Sequence, residues 1–276
     1  MIDVVIAGAS GRMGRHLLEA AVAHDALRVH GALERPGSPT IGQDAGQLAG
    51  LGPLGVTITD TPETTLAGAQ VLIDFTRPEA TEHHGALCRQ NDCALVVGTT
   101  GLSGTQRAGL GEAAQTVPVV FAPNMSLGVN LMFELVRTAA EALGPNYDVE
   151  ILEAHHRHKV DAPSGTAVRL GERVAEVLGR DLEHDAVYGR HGRTGPRDDR
   201  TIGFETIRAG DIVGDHTVLF AGSGERLEIT HRASSRMTFA SGAMRAAVWV
   251  ADQPPGLYDM ADVLGLAQPP SRASND

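Results

Sequence analysis

Three histidines and the chain's only lysine stand within five residues of one another, in the run Glu153-Ala-His155-His156-Arg-His158-Lys159-Val-Asp161-Ala-Pro-Ser164-Gly165-Thr166. Of the 23 Lys and Arg residues in 276, Lys159 alone is not arginine. Lysine is normally among the commonest residues of a soluble domain. The exception has two readings: a chance survivor on a solvated surface, or a group kept for its chemistry. Arginine is a planar fork that stays protonated, whereas the lysine ammonium is a compact donor that a neighbour or burial can bring into proton-transfer range. The adjoining histidines favour chemistry. Histidine is the usual general acid near neutral pH, and an ammonium beside it would help an anionic substrate to dock.

Metal binding is the competing use of three histidines. On a strand, His156 and His158 would share a face and His155 would point the other way, so the three do not converge without a bend. No Asp, Glu or Cys completes an evident tetrahedral set, and no metal is expected. His158 reads as a packed or solvated histidine. Behind the run, Asp161-Ala-Pro-Ser164 gives a turn and helix-start signature, followed by AVRLGERVAEVL at helical periodicity. The backbone N–H groups of Gly165 and Thr166 would then point outward at a helix amino terminus, a receptor for a carboxylate.

The elements that must position these groups begin with a different signal. Residues 2–7, IDVVIA, form an apolar run ending at Gly8-Ala9-Ser10-Gly11-Arg12-Met13-Gly14, and RHLLEAAVAH follows with a helical pattern. That is strand, glycine turn, helix, with Ser10 where the commoner dinucleotide fingerprint has its second glycine. Such a turn brings backbone N–H groups up to a pyrophosphate, and Gly14 permits close helix–strand packing. A second strand, LRVHGALE, ends in Glu34, twenty residues after Gly14. A carboxylate there accepts hydrogen bonds from ribose hydroxyls. Arg35 follows it and can pair with a 2′-phosphate, so both NADH and NADPH are expected as cofactors. A glycine turn in a nucleotide-free domain, with a surface ion pair, is the plainer alternative.

Further apolar runs, VLIDF at 71–75, ALVVG at 94–98 and VPVVF at 117–121, alternate with helical stretches. Each ends in a loop, Thr76-Arg77-Pro78, Thr99-Thr100-Gly101 and Ala122 to Ser126. Ligands of open parallel sheets bind beyond the carboxyl ends of the strands, so these loops should line the nicotinamide end of the cofactor. After Ser126 the pattern changes. GVNLMFELVRTAAEAL reads as a helix and YDVEILEAHH as a strand, while residues 200–240 contain strand-like segments mostly of antiparallel character. They imply an open sheet whose outer face another subunit would cover. Residues 240–250 read as a helix returning to the first domain, with Trp249 as its packing anchor. The fold class expected is α/β: a Rossmann-like doubly wound parallel sheet and a second α+β domain bearing an open sheet. Its boundaries fall at 1–126 plus 241–276 for dinucleotide binding and 127–240 for substrate binding and oligomerisation.

Composition removes other classes. A formal charge of −11 and a pI near 5.5 argue against nucleic acid or an anionic membrane as partner. No uncharged apolar stretch reaches membrane-spanning length, and the amino terminus enters a strand without a basic leader, so a cytoplasmic protein is expected. Cys88 and Cys93 are too few for a disulfide framework and read as buried thiols. The tail after Leu266, AQPPSRASND, reads as a disordered end.

The stretch EAHHRHKVDAPSGTA, together with GASGRMG, DFTRP, GTTG, RAGDIVGDHTVLF and HRASSRMTFASGA, closely resembles the bacterial 4-hydroxy-tetrahydrodipicolinate reductases, long called dihydrodipicolinate reductases, of the diaminopimelate route to lysine. The similarity spans essentially residues 1–260. It implies a homotetramer of two-domain subunits acting on a small dicarboxylate. By motif, His155 matches the family's proton donor, and Lys159 the group that binds and polarises the substrate. His156, Gly165 and Thr166 match dicarboxylate contacts. Gly8, Ala9, Ser10, Gly11, Arg12, Met13, Glu34, Arg35, Gly98, Thr99, Thr100, Ala122, Pro123, Asn124 and Met125 match cofactor contacts. In the last loop the family often has an aromatic after the asparagine, where this chain has Met125. Arg236, in SSRMTF, is either a further carboxylate partner or structural.

Two rival functions are set aside on residues. A semialdehyde dehydrogenase of similar plan needs a thiol nucleophile early in its second domain, and no cysteine follows Cys93. A catalytically silent dinucleotide sensor would keep the glycine turn but has no use for one lysine beside paired histidines.

Overall fold

The computed structural model describes residues 1–266; the tail read as disordered lies outside the described residues. Two compact units emerge, Met1–Leu127 with the described residues from Arg236 onward, and Gly128–Ser235. In the first unit lie β1 (Ile2–Ala7), β2 (Leu27–Leu33), β3 (Ile58–Thr59), β4 (Val71–Asp74), β5 (Ala94–Val97) and β6 (Pro118–Phe121). The second holds β7 (Asp148–His155), β8 (Ala186–Tyr188), β9 (Ile202–Arg208), β10 (Gly214–Ala221) and β11 (Arg226–Ala233), and β12 (Gly256–Tyr258) belongs again to the first.

The first sheet is parallel throughout, in the order β12-β6-β5-β4-β1-β2-β3. Its central strands are apolar on both faces because helices cover both. Val4, Ile6, Val71, Ile73 and Val96 pack on one side against Leu17 and Leu18 of the helix Arg12–Val22 and Ala243 and Ala247 of the helix Met237–Val250. On the other, Val5, Leu72, Leu95 and Val97 meet Leu87, Cys88 and Leu110. Each such aliphatic side chain contributes roughly 1.5–3 kcal/mol by leaving water. Chain order reverses between β1 and β4, and in sheets of this kind the ligand crevice lies outside the strand ends at that point. The Rossmann-like class expected from the glycine turn is the one observed.

The second sheet is mixed, in the order β11-β10-β7-β9-β8. The antiparallel character expected over residues 200–240 holds for part of this sheet only. Strand β9 pairs parallel with β7, since the helix Gly165–Leu178 makes the crossover that parallel neighbours require; only β10 is antiparallel to β7 and β11. The strand-like region expected to reach residue 240 stops at Ala233, and the helix expected from residue 240 starts at Met237, where Met237 joins the apolar stripe that continues through Ala240, Ala243 and Met244 into the core. Ala167, Leu170 and Val174 of the crossover helix bury against Val149, Ile151 and Phe204. That fixes one face of the sheet as interior.

Candidate active site

In the first unit, the turn after β1 is held by its own backbone. The N–H groups of Gly8 and Ala9 both donate to the carbonyl of Leu33, at 2.9 and 3.1 Å. A Cβ on Gly14 would stand 2.1 Å from the carbonyl oxygen of Gly8, so only glycine lets the helix start against the strand end. The helix opens at Arg12 without a side-chain cap, leaving its first amides to a ligand, and a phosphate suits that position. Oε1 of Glu34 accepts from both the N–H (2.9 Å) and the hydroxyl (2.5 Å) of Ser10. Ser10, at the place of the usual second glycine, therefore fixes the carboxylate at the end of β2. Arg35 is exposed beside it. The cradle, the uncapped helix and the fixed carboxylate fit a dinucleotide.

The loops after β4 and β5 are joined beneath the surface by Asp74, which is fully buried. It accepts from the N–H and hydroxyl of Thr76, at 2.9 and 2.6 Å, and lies 2.9 Å from Nδ1 of His84. Burial alone would raise its carboxyl, but the bond and charge of His84, with the Thr76 and Thr81 hydroxyls, hold it below its ordinary value. The Thr99 hydroxyl accepts from the Thr76 N–H and the Thr81 hydroxyl, so the side chain of this expected cofactor contact faces inward. Gly98 gives its missing side chain's space to the Phe75 ring. Thr100 is exposed. Among the residues of the last loop, Ala122 and Met125 lie in the core, Pro123 is exposed, and Oδ1 of Asn124 accepts from the Ser126 N–H at 2.9 Å.

In the second unit, the inner face of the sheet changes character at one level across three strands. Apolar Val149 and Ile151, Ile202 and Phe204, and Val218 and Phe220 give way to Glu153 and His155, Thr206 and Arg208, and His216. Glu153 stands directly across from His216 on one side and Thr206 on the other. Nδ1 of His155 lies 2.6 Å from Oε2 of Glu153. Arg208 grips the same carboxylate with both terminal nitrogens, at 2.8 and 2.7 Å. Burial would raise the Glu153 carboxyl, yet the bonds from His155 and Arg208, the charge of His155 and the Ser164 amide hold it at about 2. An ionised carboxylate only accepts, so Nδ1 of His155 carries hydrogen and Nε2 is left as the atom that exchanges a proton. His216 is buried at 3% exposure; burial first, then the charge of His155, depresses it to about 3 and keeps it neutral.

His155 ends β7, and His156 begins a loop that reaches Ser164. The rings of His156 and His158 lie 6.3 Å apart. Nζ of Lys159 meets Oδ1 of Asp161 at 2.8 Å. Burial would raise Asp161, but the bond and charge of Lys159 and the charge of Arg208 lower it. Ser164 caps the helix as expected, its hydroxyl accepting from the Ala167 N–H, with Gly165 and Thr166 in the first turn. Space is open at the missing side chain of Gly165. Arg236 stands at the N-cap of the helix Met237–Val250. Among the described residues, no group of three or more His, Cys, Asp or Glu is arranged to hold a metal ion. Sequence reasoning missed Glu153, Arg208 and His216, which come from three strands; the signal available was the polar continuation of each strand's apolar alternation.

Comparison with known proteins agrees on one family. The family described as dihydrodipicolinate reductase, N-terminus, matches residues 2–125, and its C-terminal counterpart matches 128–264. A 4-hydroxy-tetrahydrodipicolinate reductase of Alkalilimnicola ehrlichii is 63% identical over 95% of this chain and 98% of its own length. That of Thiobacillus denitrificans is 62% identical over 96% and 99%. Among solved structures, a dipicolinate-bound dihydrodipicolinate reductase from Paenisporosarcina sp. TG-14 superposes with a TM-score of 0.74 at 26% identity, covering 95% of this chain and 98% of that one. An amine dehydrogenase from Mycobacterium smegmatis, at 14% identity and TM-score 0.59, shares the fold.

Proposed function

The chain belongs to the dihydrodipicolinate reductase family, and we propose that its residues divide that family's reaction between the two units. It reduces 4-hydroxy-tetrahydrodipicolinate to tetrahydrodipicolinate, with loss of water, using NADH or NADPH, in lysine and diaminopimelate biosynthesis. When bound, the reduced nicotinamide supplies the hydride. In our reading the first unit holds the dinucleotide. The turn Gly8–Met13 receives the pyrophosphate, Glu34 the ribose hydroxyls and Arg35 a 2′-phosphate, while the loops at Gly98–Thr100 and Ala122–Met125 line the nicotinamide end through their backbones.

In the second unit, Nε2 of His155 gives the proton that, with the hydride, reduces one C=C bond of the dehydrated ring, the C=N being kept in the product. Lys159 exchanges Asp161 for the substrate, whose carboxylates are received by His156 and by the first-turn amides of Gly165 and Thr166. The observation that carries these roles is the 2.6 Å contact between His155 Nδ1 and the ionised Glu153, which supports Nε2 as the donor atom. Supplying the condensation product of pyruvate and aspartate semialdehyde and following nicotinamide absorbance tests substrate and reaction together. Loss of absorbance with NADH and with NADPH is expected; none with either would sink the reading.

A homotetramer in the cytoplasm completes it. No described helix is long and apolar enough to cross a membrane. The outer face of the second sheet presents Leu152 at 37% and Ile207 at 52% exposure, apolar surface that a second copy would cover. Sedimentation equilibrium should give four times the 28.9 kDa chain mass; a fully active monomer would contradict this.

A further inference from the structure

Glu153 is 2% exposed and spends its carboxylate on three different segments. Oε2 holds Nδ1 of His155 at 2.6 Å. Oε1 accepts from the backbone N–H of Ser164 at 3.0 Å, the residue that caps the helix whose first turn carries Gly165 and Thr166. Both oxygens are held by Arg208, whose second terminal nitrogen also donates to the carbonyl of Asp161 at 2.5 Å, the residue paired with Lys159. On the far side of the imidazole, a Cβ at Gly214 would stand 3.1 Å from Nε2 of His155. A burial this deep is tolerated by a carboxylate only when its partners are charged and complete, as they are here.

We propose that Glu153 is a positioning residue that aligns the proton donor with the carboxylate receptor. It fixes the tautomer and angle of His155, so that hydrogen stays on Nδ1 and Nε2 faces the space Gly214 leaves open. Through Ser164 it sets the start of the helix that receives a substrate carboxylate, and through Arg208 it holds the loop bearing Lys159. Proton donor, ammonium and receptor are thereby referred to one side chain. The inference rests on His155 being the donor, as proposed above.

The chemistry of substitution separates this from plain scaffolding. Glu153→Gln keeps the size and an acceptor for Ser164, but its amide group can present hydrogen to Nδ1 of His155. The ring is then driven to carry its hydrogen on Nε2 and to accept at Nδ1, and its cation loses an acceptor. Misplacing a histidine tautomer in this way costs several orders of magnitude in other active sites where a carboxylate orients the ring. Gly214→Ala leaves the carboxylate intact and crowds Nε2 instead.

The test is steady-state kinetics of Glu153→Gln, Gly214→Ala and His155→Asn, beside NADH titration and 15N imidazole NMR of His155. Glu153→Gln is expected to lose kcat on the order of a hundredfold or more, to bind NADH within about twofold of the parent, and to shift the His155 signals from the Nδ1–H to the Nε2–H pattern. Gly214→Ala is expected to lose kcat on the order of tenfold, with an unchanged tautomer. Full kcat in Glu153→Gln, or an unaltered tautomer, while His155→Asn is inactive, overturns the positioning role alone. Near-native kcat in His155→Asn overturns the donor assignment instead. Should Glu153→Gln not fold, Glu153→Asp decides: the charge is kept but cannot reach both His155 and Ser164, so a loss on the order of tenfold is expected, and undiminished kcat refutes the proposal.

Discussion

The ammonium of Lys159 rests 2.8 Å from Oδ1 of Asp161, so in the role proposed for it the chain's only lysine must exchange an existing partner for a substrate carboxylate. Asp161 is half exposed, and a pair of that kind contributes only about 0.2–1 kcal/mol. Displacing it therefore costs substrate binding a factor of about 1.4–5. Asp161→Asn should tighten dipicolinate, used as a dicarboxylate probe, by a factor within that range and leave kcat within about twofold. Inhibition constants against parent enzyme measure this. Weaker binding would make Asp161 the residue that aims the ammonium.

Cofactor choice is expected to turn on Arg35. Ser10 anchors Glu34 from the glycine turn, and the exposed guanidinium next to it is the group proposed to meet a 2′-phosphate. A charge-assisted bond of this kind contributes about 1.5–3 kcal/mol and exists only with NADPH. Arg35→Ala should raise the Kd for NADPH by about 10- to 150-fold and leave NADH nearly unchanged, as read by fluorescence titration. Equal losses for both would remove the assignment.

Stability should fall with acidification earlier than carboxylates alone would cause. His216 is depressed from 6.5 to about 3, by burial first, so the unfolded chain binds the extra proton between those values. Its contribution is full above about pH 6.5 and is lost as pH falls toward 3. Glu153, lowered from 4.5 to about 2, contributes fully above about 4.5 and loses its effect as pH falls toward 2. Between pH 7 and 4.5 the histidine dominates, and a decline on the order of 2 kcal/mol is expected. Urea midpoints across that range should flatten in His216→Gln. An equally steep decline in the variant would place the dependence elsewhere.

Much of this was legible because some constraints are local. A glycine turn, its following helix and the acid ending β2 lie within 34 residues, and the runs VLIDF, ALVVG and VPVVF mark β4, β5 and β6 closely. Two-residue β3 and three-residue β8 and β12 carry too little pattern to be read. The parallel pairing of β9 depends on a crossover that spacing does not specify. Lys159 and Ser164 announce themselves by rarity and by capping chemistry. Glu153, Arg208 and His216 are brought together by register between strands far apart in the chain. The loop position of Thr99 is legible in the sequence, whereas the inward turn of its hydroxyl toward Thr81 and the buried Asp74 is not.

The kcat of Lys159→Arg tests the proposed site most directly. Arginine fills every other basic position in the chain, so if position 159 needs only positive charge, the variant should work. If the site needs a compact donor beside His155, the larger fork misplaces the substrate and carries no transferable proton. Measured with the hydroxy-tetrahydrodipicolinate substrate and saturating NADH, kcat is expected to fall on the order of a hundredfold or more, with NADH binding intact. A near-native kcat with only a raised KM would contradict it and reduce Lys159 to an electrostatic anchor.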